Sequence, residues 1–447
     1  MELLPDDVVA AVLSLLVVED LMQCRLVCRR FRDLSGRFDV WRHRQIFEPE
    51  LLRLSPPCCR GLYLMGEEVR RCGFLAATTT CATTFLNVYL GESADIPMGA
   101  LVVRNQAGRG RLRSLSLSLA GGTYKSPHAS SADLFEIYSV LLGINGLLEL
   151  DLKDVCVLPR VAMQLTGRSD WPVVAPSLQK LEYRTFQVTP IFELLLRRHA
   201  PTLREVHVTG IHPSVDDVSG LLMNLTHLRE LTCPLLEGMY QLLQCRSLRV
   251  LRIVTVWDKA KSSSNRALCA ARFLLRCATY LRRVILDHSM NNGDEGVDLV
   301  RALGESGVSE VTCLEIDTVP IYADKIWEHI ISTLPKLPCV EKLVFHSRGS
   351  SFMIDWLSAI RPEVAPKLRQ LHICGPRQCV CCSKEEIIRV LELNRQMRLI
   401  IPHLYRPKCS SGCGMCTDVS PLTYSTVTLG IRHVPKVWPN VPLVKRE

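Results

Sequence analysis

The chain has 447 residues, 47% hydrophobic and 22% charged, a balance that excludes extensive disorder and leaves room for several ordinary domains or one solenoid. Its formal net charge of +9 is modest for this length, and Arg is interspersed with Glu and Asp, which argues against a nucleic-acid partner. Its 20 cysteines fall mostly singly in apolar stretches such as LLRCATYL and QLLQCRSL, where a thiol behaves as a small hydrophobe. They imply a reducing compartment, cytoplasmic or nuclear.

The first element is LPDDVVAAVLSLL. Its apolar run, Val8 to Val18, has the length of a secretory h-region, but Glu2, Asp6 and Asp7 precede it and Glu19 and Asp20 follow without a small-residue cleavage site. It is shorter than the roughly 20 residues a bilayer requires. It is therefore read as folded sequence, and no membrane partner is expected. Asp6 is placed as the cap of a first helix, with Val8, Val9, Val12, Leu13 and Leu16 at helical spacing. Asp20 is placed as the cap of a second, with Leu21, Cys24, Val27, Cys28 and Phe31 on one stripe. About forty residues bury too little surface to be comfortable alone, so this hairpin is expected to meet a partner or to cap the rest of the chain.

The order Leu4-Pro5, Val8-Val9, Val12-Leu13-Ser14, Leu16, Asp20-Leu21, Leu26 to Phe31, Leu34 and Trp41 resembles an F-box over residues 2–45. The resemblance implies docking on a Skp-family adaptor, and through it on a cullin and a RING subunit. It assigns Leu4, Pro5, Val12, Leu16, Leu21, Val27, Phe31 and Trp41 to that contact or to its supporting core. Phe31 stands where the family often has Trp, and keeps an aromatic knob.

From residue 112 the pattern L-x-x-L-x-L returns: LRSLSL at Leu112, LLELDL at Leu147, LQKLEY at Leu178, LREVHV at Leu203, LRELTC at Leu228 and LRVLRI at Leu248. It continues with LRRVIL at Leu281, VTCLEI at Val311, VEKLVF at Val340 and LRQLHI at Leu368, the starts lying 20 to 35 residues apart. Weaker copies stand at Phe85 and Met397. Alternation at the end of each hexamer predicts a short strand, and the segments after each strand have helical spacing. Ser131 to Leu142 puts Leu134, Ile137 and Leu141 on one face, Thr189-Pro190 predicts an N-cap with Pro at N1, and Ser383 to Glu386 forms a capping box. Strand then helix at this period resembles a leucine-rich-repeat horseshoe, in which stacked units share one core. The Asn or Cys common in the turn of that family is absent: Val155, Phe186, Ile211, Leu236 and Val256 occupy its place, which implies an irregular array.

In such a horseshoe the non-leucine strand positions line the concave face. They include Asp151, Lys153, Glu182, Arg184, His207, Arg252, Asp287, Glu315, Asp317, His346 and His372, and are the expected target-binding residues. Arg204, Arg229, Arg249, Arg282 and Arg369 recur at one place in the repeat, as a solvated row or as a site for an acidic or phosphorylated segment.

Near the C-terminus, Cys379 or Cys381 with Cys409, Cys413 and Cys416 could supply four thiolates to structural zinc, although the spacing fits no standard finger; free cysteines in a capping segment are the alternative. No P-loop, nucleophile elbow or His-Glu-x-x-His occurs, and no cofactor is expected. The expected architecture is α/β: a helical F-box (1–48), a linker with irregular first repeats (49–110), an irregular leucine-rich-repeat solenoid (111–405) and a Cys/Pro-rich segment (406–447). The resemblances imply a non-catalytic substrate receptor of an SCF-type ubiquitin ligase for an unknown target. A binding scaffold without a ubiquitination role, or a zinc- or thiol-dependent protein, are the alternatives.

Overall fold

A computed structural model describes residues 4–119, 130–154, 174–185, 189–210, 218–255, 263–288, 294–318, 323–347, 357, 359–374, 384–403 and 425–429. The fold is mixed α/β, and the chain forms two compact units, Met1–Ile211 and His212–Glu447.

The first unit opens with four helices, α1 (Asp6–Leu15), α2 (Val18–Val27), α3 (Arg29–Ser35) and α4 (Phe38–Trp41). The single second helix expected from the sequence is thus divided at Cys28, whose backbone is extended and whose Sγ accepts the Phe31 N–H at 3.5 Å. Neither expected aspartate is a cap. Asp6 is the first residue of α1 and its carboxylate accepts from Arg30 Nε at 2.9 Å, while Asp20 lies within the first turn of α2, where it still complements the helix dipole.

Seven strands come next, each parallel to its neighbour: β1 (Gln45–Ile46), β2 (Cys58–Met65), β3 (Ala82–Leu90), β4 (Ser114–Leu119), β5 (Glu149–Asp154), β6 (Lys180–Thr185) and β7 (Glu205–Thr209). Between them run α5 (Glu67–Thr78), α6 (Ile96–Gly108), α7 (Ser131–Leu142) and the helix Pro190–His199. Register lines up Leu86, Leu115, Leu150, Leu181 and Val206 in one buried row and Val88, Leu117, Leu152, Tyr183 and Val208 in the next. The helices bury their apolar stripes, in α7 the expected Leu134, Ile137 and Leu141. Ser130 caps α7 by accepting the Asp133 N–H at 3.1 Å. Pro190 opens its helix as expected, but Thr189 makes no cap bond; its hydroxyl is taken by that of Tyr183.

The second unit has seven parallel strands among the described residues: β8 (Glu230–Pro234), β9 (Val250–Val254), β10 (Arg283–His288), β11 (Cys313–Thr318), β12 (Lys342–Ser347), β13 (Gln370–Cys374) and β14 (Arg398–His403). β15 (Ser425–Leu429) joins β14 in the antiparallel sense. Connections vary, from the 15-residue helix Ser263–Cys277 to the short turn Met239–Gln244. The buried row Leu231, Leu251, Val284, Leu314, Leu343, Leu371 and Leu399 repeats the logic of the first unit. Each fully buried Leu contributes about 1.5–3 kcal/mol, and stacking supplies that burial only when strands share a register. The expected cap residue Ser383 lies outside the described residues.

Candidate functional site

Two surfaces collect the residues singled out from the sequence. The first is on the N-terminal helices. α1 carries two interleaved apolar stripes: Val9, Ala10 and Leu13 are buried, whereas Val8, Val12 and Leu15 point outward. Leu15 is 85% exposed, and Leu26 and Val27 on α2 are 75% and 69% exposed. Beneath this outer surface Leu21 and Trp41 are fully buried, and Trp41 Nε1 donates to the Ser35 carbonyl at 2.7 Å. Arg30 ties the entry to α3 by pairing with Asp6 at 2.8 Å and donating to the Leu4 carbonyl.

The expected adaptor-binding residues therefore divide by role. Leu4, Pro5, Val12 and Val27 are exposed, Leu16 and Phe31 are half-buried, and Leu21 and Trp41 belong to the supporting core. Val8, Leu15 and Leu26 were not among the assigned contact residues. The signal for Val8 and Leu15 was the i, i+4, i+7 spacing they make with Val12, which spacing alone cannot orient when both stripes are apolar; Leu26 stands on α2 beside Val27.

Residues 1–46 match the F-box-like family. No curated protein matches the chain. F-box-like domains typically occur in non-catalytic adaptor subunits and commonly bind a Skp-family adaptor, so the exposed stripe belongs to a domain whose general role is docking. No helix among the described residues is long and apolar enough to cross a membrane.

The second surface is the sheet face opposite the leucine rows, described for each unit by itself. In the first unit, register aligns Ser116, Asp151, Glu182 and His207. Asp151 Oδ2 accepts from Ser116 Oγ at 3.1 Å, Glu149 Oε2 accepts from Ser114 Oγ at 3.0 Å, and Arg184 pairs with Glu182 on its own strand. Burial, with the neighbouring Glu182 charge, pushes the Asp151 carboxyl above its ordinary pKa. Lys153 stands exposed two residues along the strand.

In the second unit Arg252 meets Asp287 at 2.7 Å across β9 and β10, and Arg283 meets Glu315 at 2.9 Å across β10 and β11. His346 Nε2 lies 3.4 Å from Glu315 Oε1, and this contact with Arg283 outweighs burial to hold the Glu315 pKa down at about 2. His372 shares the Glu315 row, with its pKa lowered by burial and by Lys342 and His346. Asp317 aligns with Asp287 and His346. Of the expected target-binding residues, Asp287 alone is buried; the others are half-buried or exposed.

The zinc expectation falls on Cys379, Cys381, Cys409, Cys413 and Cys416, which lie outside the described residues. Among the described residues no group of three or more His, Cys, Asp or Glu side chains is placed to hold a metal ion.

Proposed function

We propose that this protein is the substrate-recognition adaptor of an SCF-type ubiquitin ligase. The F-box-like domain docks its outer stripe of Val12, Leu15 and Val27 on a Skp-family adaptor, which brings cullin and RING subunits. The rest of the chain is a leucine-rich-repeat solenoid whose concave sheet face captures a target. The observation that carries the reading is the exposed apolar stripe within a segment that matches the F-box-like family. A second support is that every one of the ten hexamers carries a strand paired in parallel, with the residues at its first, fourth and sixth places buried. The mechanism is positional. Holding a target beside a charged ubiquitin-conjugating enzyme raises the effective concentration of its lysines without any bond being made or broken by this chain.

The test is a pull-down from cytosolic and nuclear extracts with the full chain and a Val12→Asp/Leu15→Asp/Val27→Asp variant, both verified as folded by circular dichroism. Co-purification of the Skp-family adaptor and cullin with the wild type alone supports the proposal. Capture of the adaptor without cullin supports a scaffold instead, and capture of neither removes the docking role of the stripe.

A further inference from the structure

Apart from both faces, the beginnings of three strands in the second unit carry a row of cations. Arg229, Arg249 and Arg282 each stand immediately before a strand, β8, β9 and β10. The Arg249 N–H donates to the Arg229 carbonyl at 2.8 Å, and the Arg282 N–H donates to the Arg249 carbonyl at 2.8 Å. The three are thus lateral neighbours, one strand spacing of about 4.8 Å apart. All are exposed. Arg249 is held at the rim by its Nη1, which donates to the carbonyls of Arg246 and Leu248 at 2.8 and 2.9 Å. Arg282 meets Glu310 at 2.9 Å, whereas Arg229 has no side-chain hydrogen bond or ion pair among the described residues. The hydroxyl of Tyr280 is buried nearby without a hydrogen-bond partner among the described residues, in the field of Arg246 and Arg249.

The row is short. The next two positions in the same backbone ladder are Thr312 and Glu341, so the expected five-arginine row is interrupted before Arg369, and Arg204 belongs to the other unit. That length decides the class of ligand. A polynucleotide needs a long track of positive charge, which Glu341 ends. Arg229 and Arg282 are two strand spacings apart, about 10 Å, and an extended peptide advances about 10 Å in three residues. Guanidinium groups at that interval match carboxylates or phosphates three residues apart.

We propose that the strand-start rim formed by Arg229, Arg249 and Arg282 binds a short anionic segment of a protein. This surface is separate from the sheet face assigned to target capture, and its chemistry does not depend on the F-box-like domain. Its failure and that of the adaptor reading are therefore distinguishable.

The test is fluorescence anisotropy with the full chain and three labelled decapeptides of one Ala/Gly/Ser frame, bearing at two positions three residues apart glutamate, phosphoserine or lysine. The expected result is binding of an anionic peptide in preference to the lysine peptide, weakening as salt rises from about 50 to about 300 mM. Arg229→Glu should weaken that binding roughly fivefold or more, and Arg229→Glu/Arg249→Gln further, while Arg361→Glu, an exposed arginine elsewhere in the unit, should leave it unchanged. Binding of the phosphoserine peptide alone identifies a phosphorylated ligand, and binding of both admits an acidic one. Equal binding of all three peptides, no binding of any, or an Arg229→Glu effect no larger than that of Arg361→Glu overturns the proposal. Arg229→Glu breaks no side-chain hydrogen bond or ion pair among the described residues, so its thermal melt should match the wild type.

Discussion

The guanidinium of Arg44 closes the C-terminal end of α1, with Nη2 donating to the Leu13 carbonyl and Nη1 to the Leu16 carbonyl, each at 2.7 Å. Its Nε donates to the Val40 carbonyl at 2.8 Å, and the group lies 5.7 Å from the Trp41 ring centre. The last carbonyls of a helix have no intrahelical donor and carry the negative end of its dipole. One planar cation therefore satisfies groups from α1, its exit and α4 at once.

Arg44→Met keeps the length of the stem and removes every donor, so the Leu16 and Val40 carbonyls lose their guanidinium bond and Leu13 keeps only the long 3.4 Å bond from the Leu16 N–H, in a site where the arginine is only 9% exposed. The expected loss is about 3 kcal/mol in urea unfolding, and Arg44→Lys should recover part of it, because an ammonium cannot reach three carbonyls in a fixed fork. A Met variant as stable as the wild type would show that water can replace the guanidinium.

Leu15 and Leu21 have the same side chain and opposite environments, 85% and 0% exposed. Leu15→Asp should change stability by no more than about 0.5 kcal/mol while abolishing adaptor capture. Leu21→Ala should cost about 2–5 kcal/mol, and its loss of capture should track the unfolded fraction. Thermal melts run beside the pull-down separate the two, and retention of adaptor by Leu15→Asp would place the contact elsewhere on the domain.

His199 reports on pH. Its Nδ1 accepts the Ser177 N–H at 3.2 Å and the Leu178 N–H at 3.4 Å, a role only the neutral ring can fill. Burial, helped by the Arg198 charge, lowers its pKa to about 4, against about 6.5 in the unfolded chain. Between those values the unfolded chain binds the proton and the folded chain does not, so stability is complete above about pH 6.5 and falls as pH drops toward about 4, by about 3 kcal/mol at most. Burial holds His288 near 4 as well, so it shares this window with His199. His199→Gln keeps an acceptor without a titrating ring and should flatten part of the decline in urea midpoint from pH 7 to pH 4. An unchanged slope would mean that His199 is protonated in the folded protein.

Much of the sheet was legible in the sequence because a parallel strand covered on one side repeats its apolar residues at intervals of two. The hexamers from Leu112 to Leu368 each lead into a strand, and the weaker copies at Phe85 and Met397 fall on β3 and β14. β2 carries the pattern as Cys59-Arg60-Gly61-Leu62-Tyr63-Leu64, with Cys in the place of the first leucine, and Leu62 and Leu64 align with the buried Leu86 and Val88 of β3. Helix starts were less legible, since Asp6 and Asp20 satisfy a capping preference yet sit one and three residues inside their helices. Arg44 could not be singled out, because its three acceptors are backbone carbonyls that leave no trace in residue type. The exposed stripe of α1 was visible as spacing, but only the packing of Leu13 against the domain core decides which stripe turns outward.

On the sheet face of the second unit Glu315 is held at a pKa of about 2 against an ordinary 4.5, first by His346, then by Arg283, with burial opposing. A depressed carboxylate contributes stability that is complete above the unfolded pKa and is lost as pH falls through the folded one, here between about 4.5 and about 2. The side chain is 19% exposed and Arg283 48%, so solvent screens part of the attraction, and about 2 kcal/mol is the expected contribution at neutral pH. Glu315→Gln keeps an acceptor for Arg283 without the charge. It should lower stability at pH 6, and its deficit relative to the wild type should shrink below about pH 4.5 and vanish near pH 2. Subtracting variant from wild-type curves cancels the shared titration of His199 and His288. A deficit that persists unchanged at pH 2 would trace the loss to packing instead of charge, and the His346–Glu315–Arg283 cluster would then be a consequence of the sheet register with no electrostatic weight of its own.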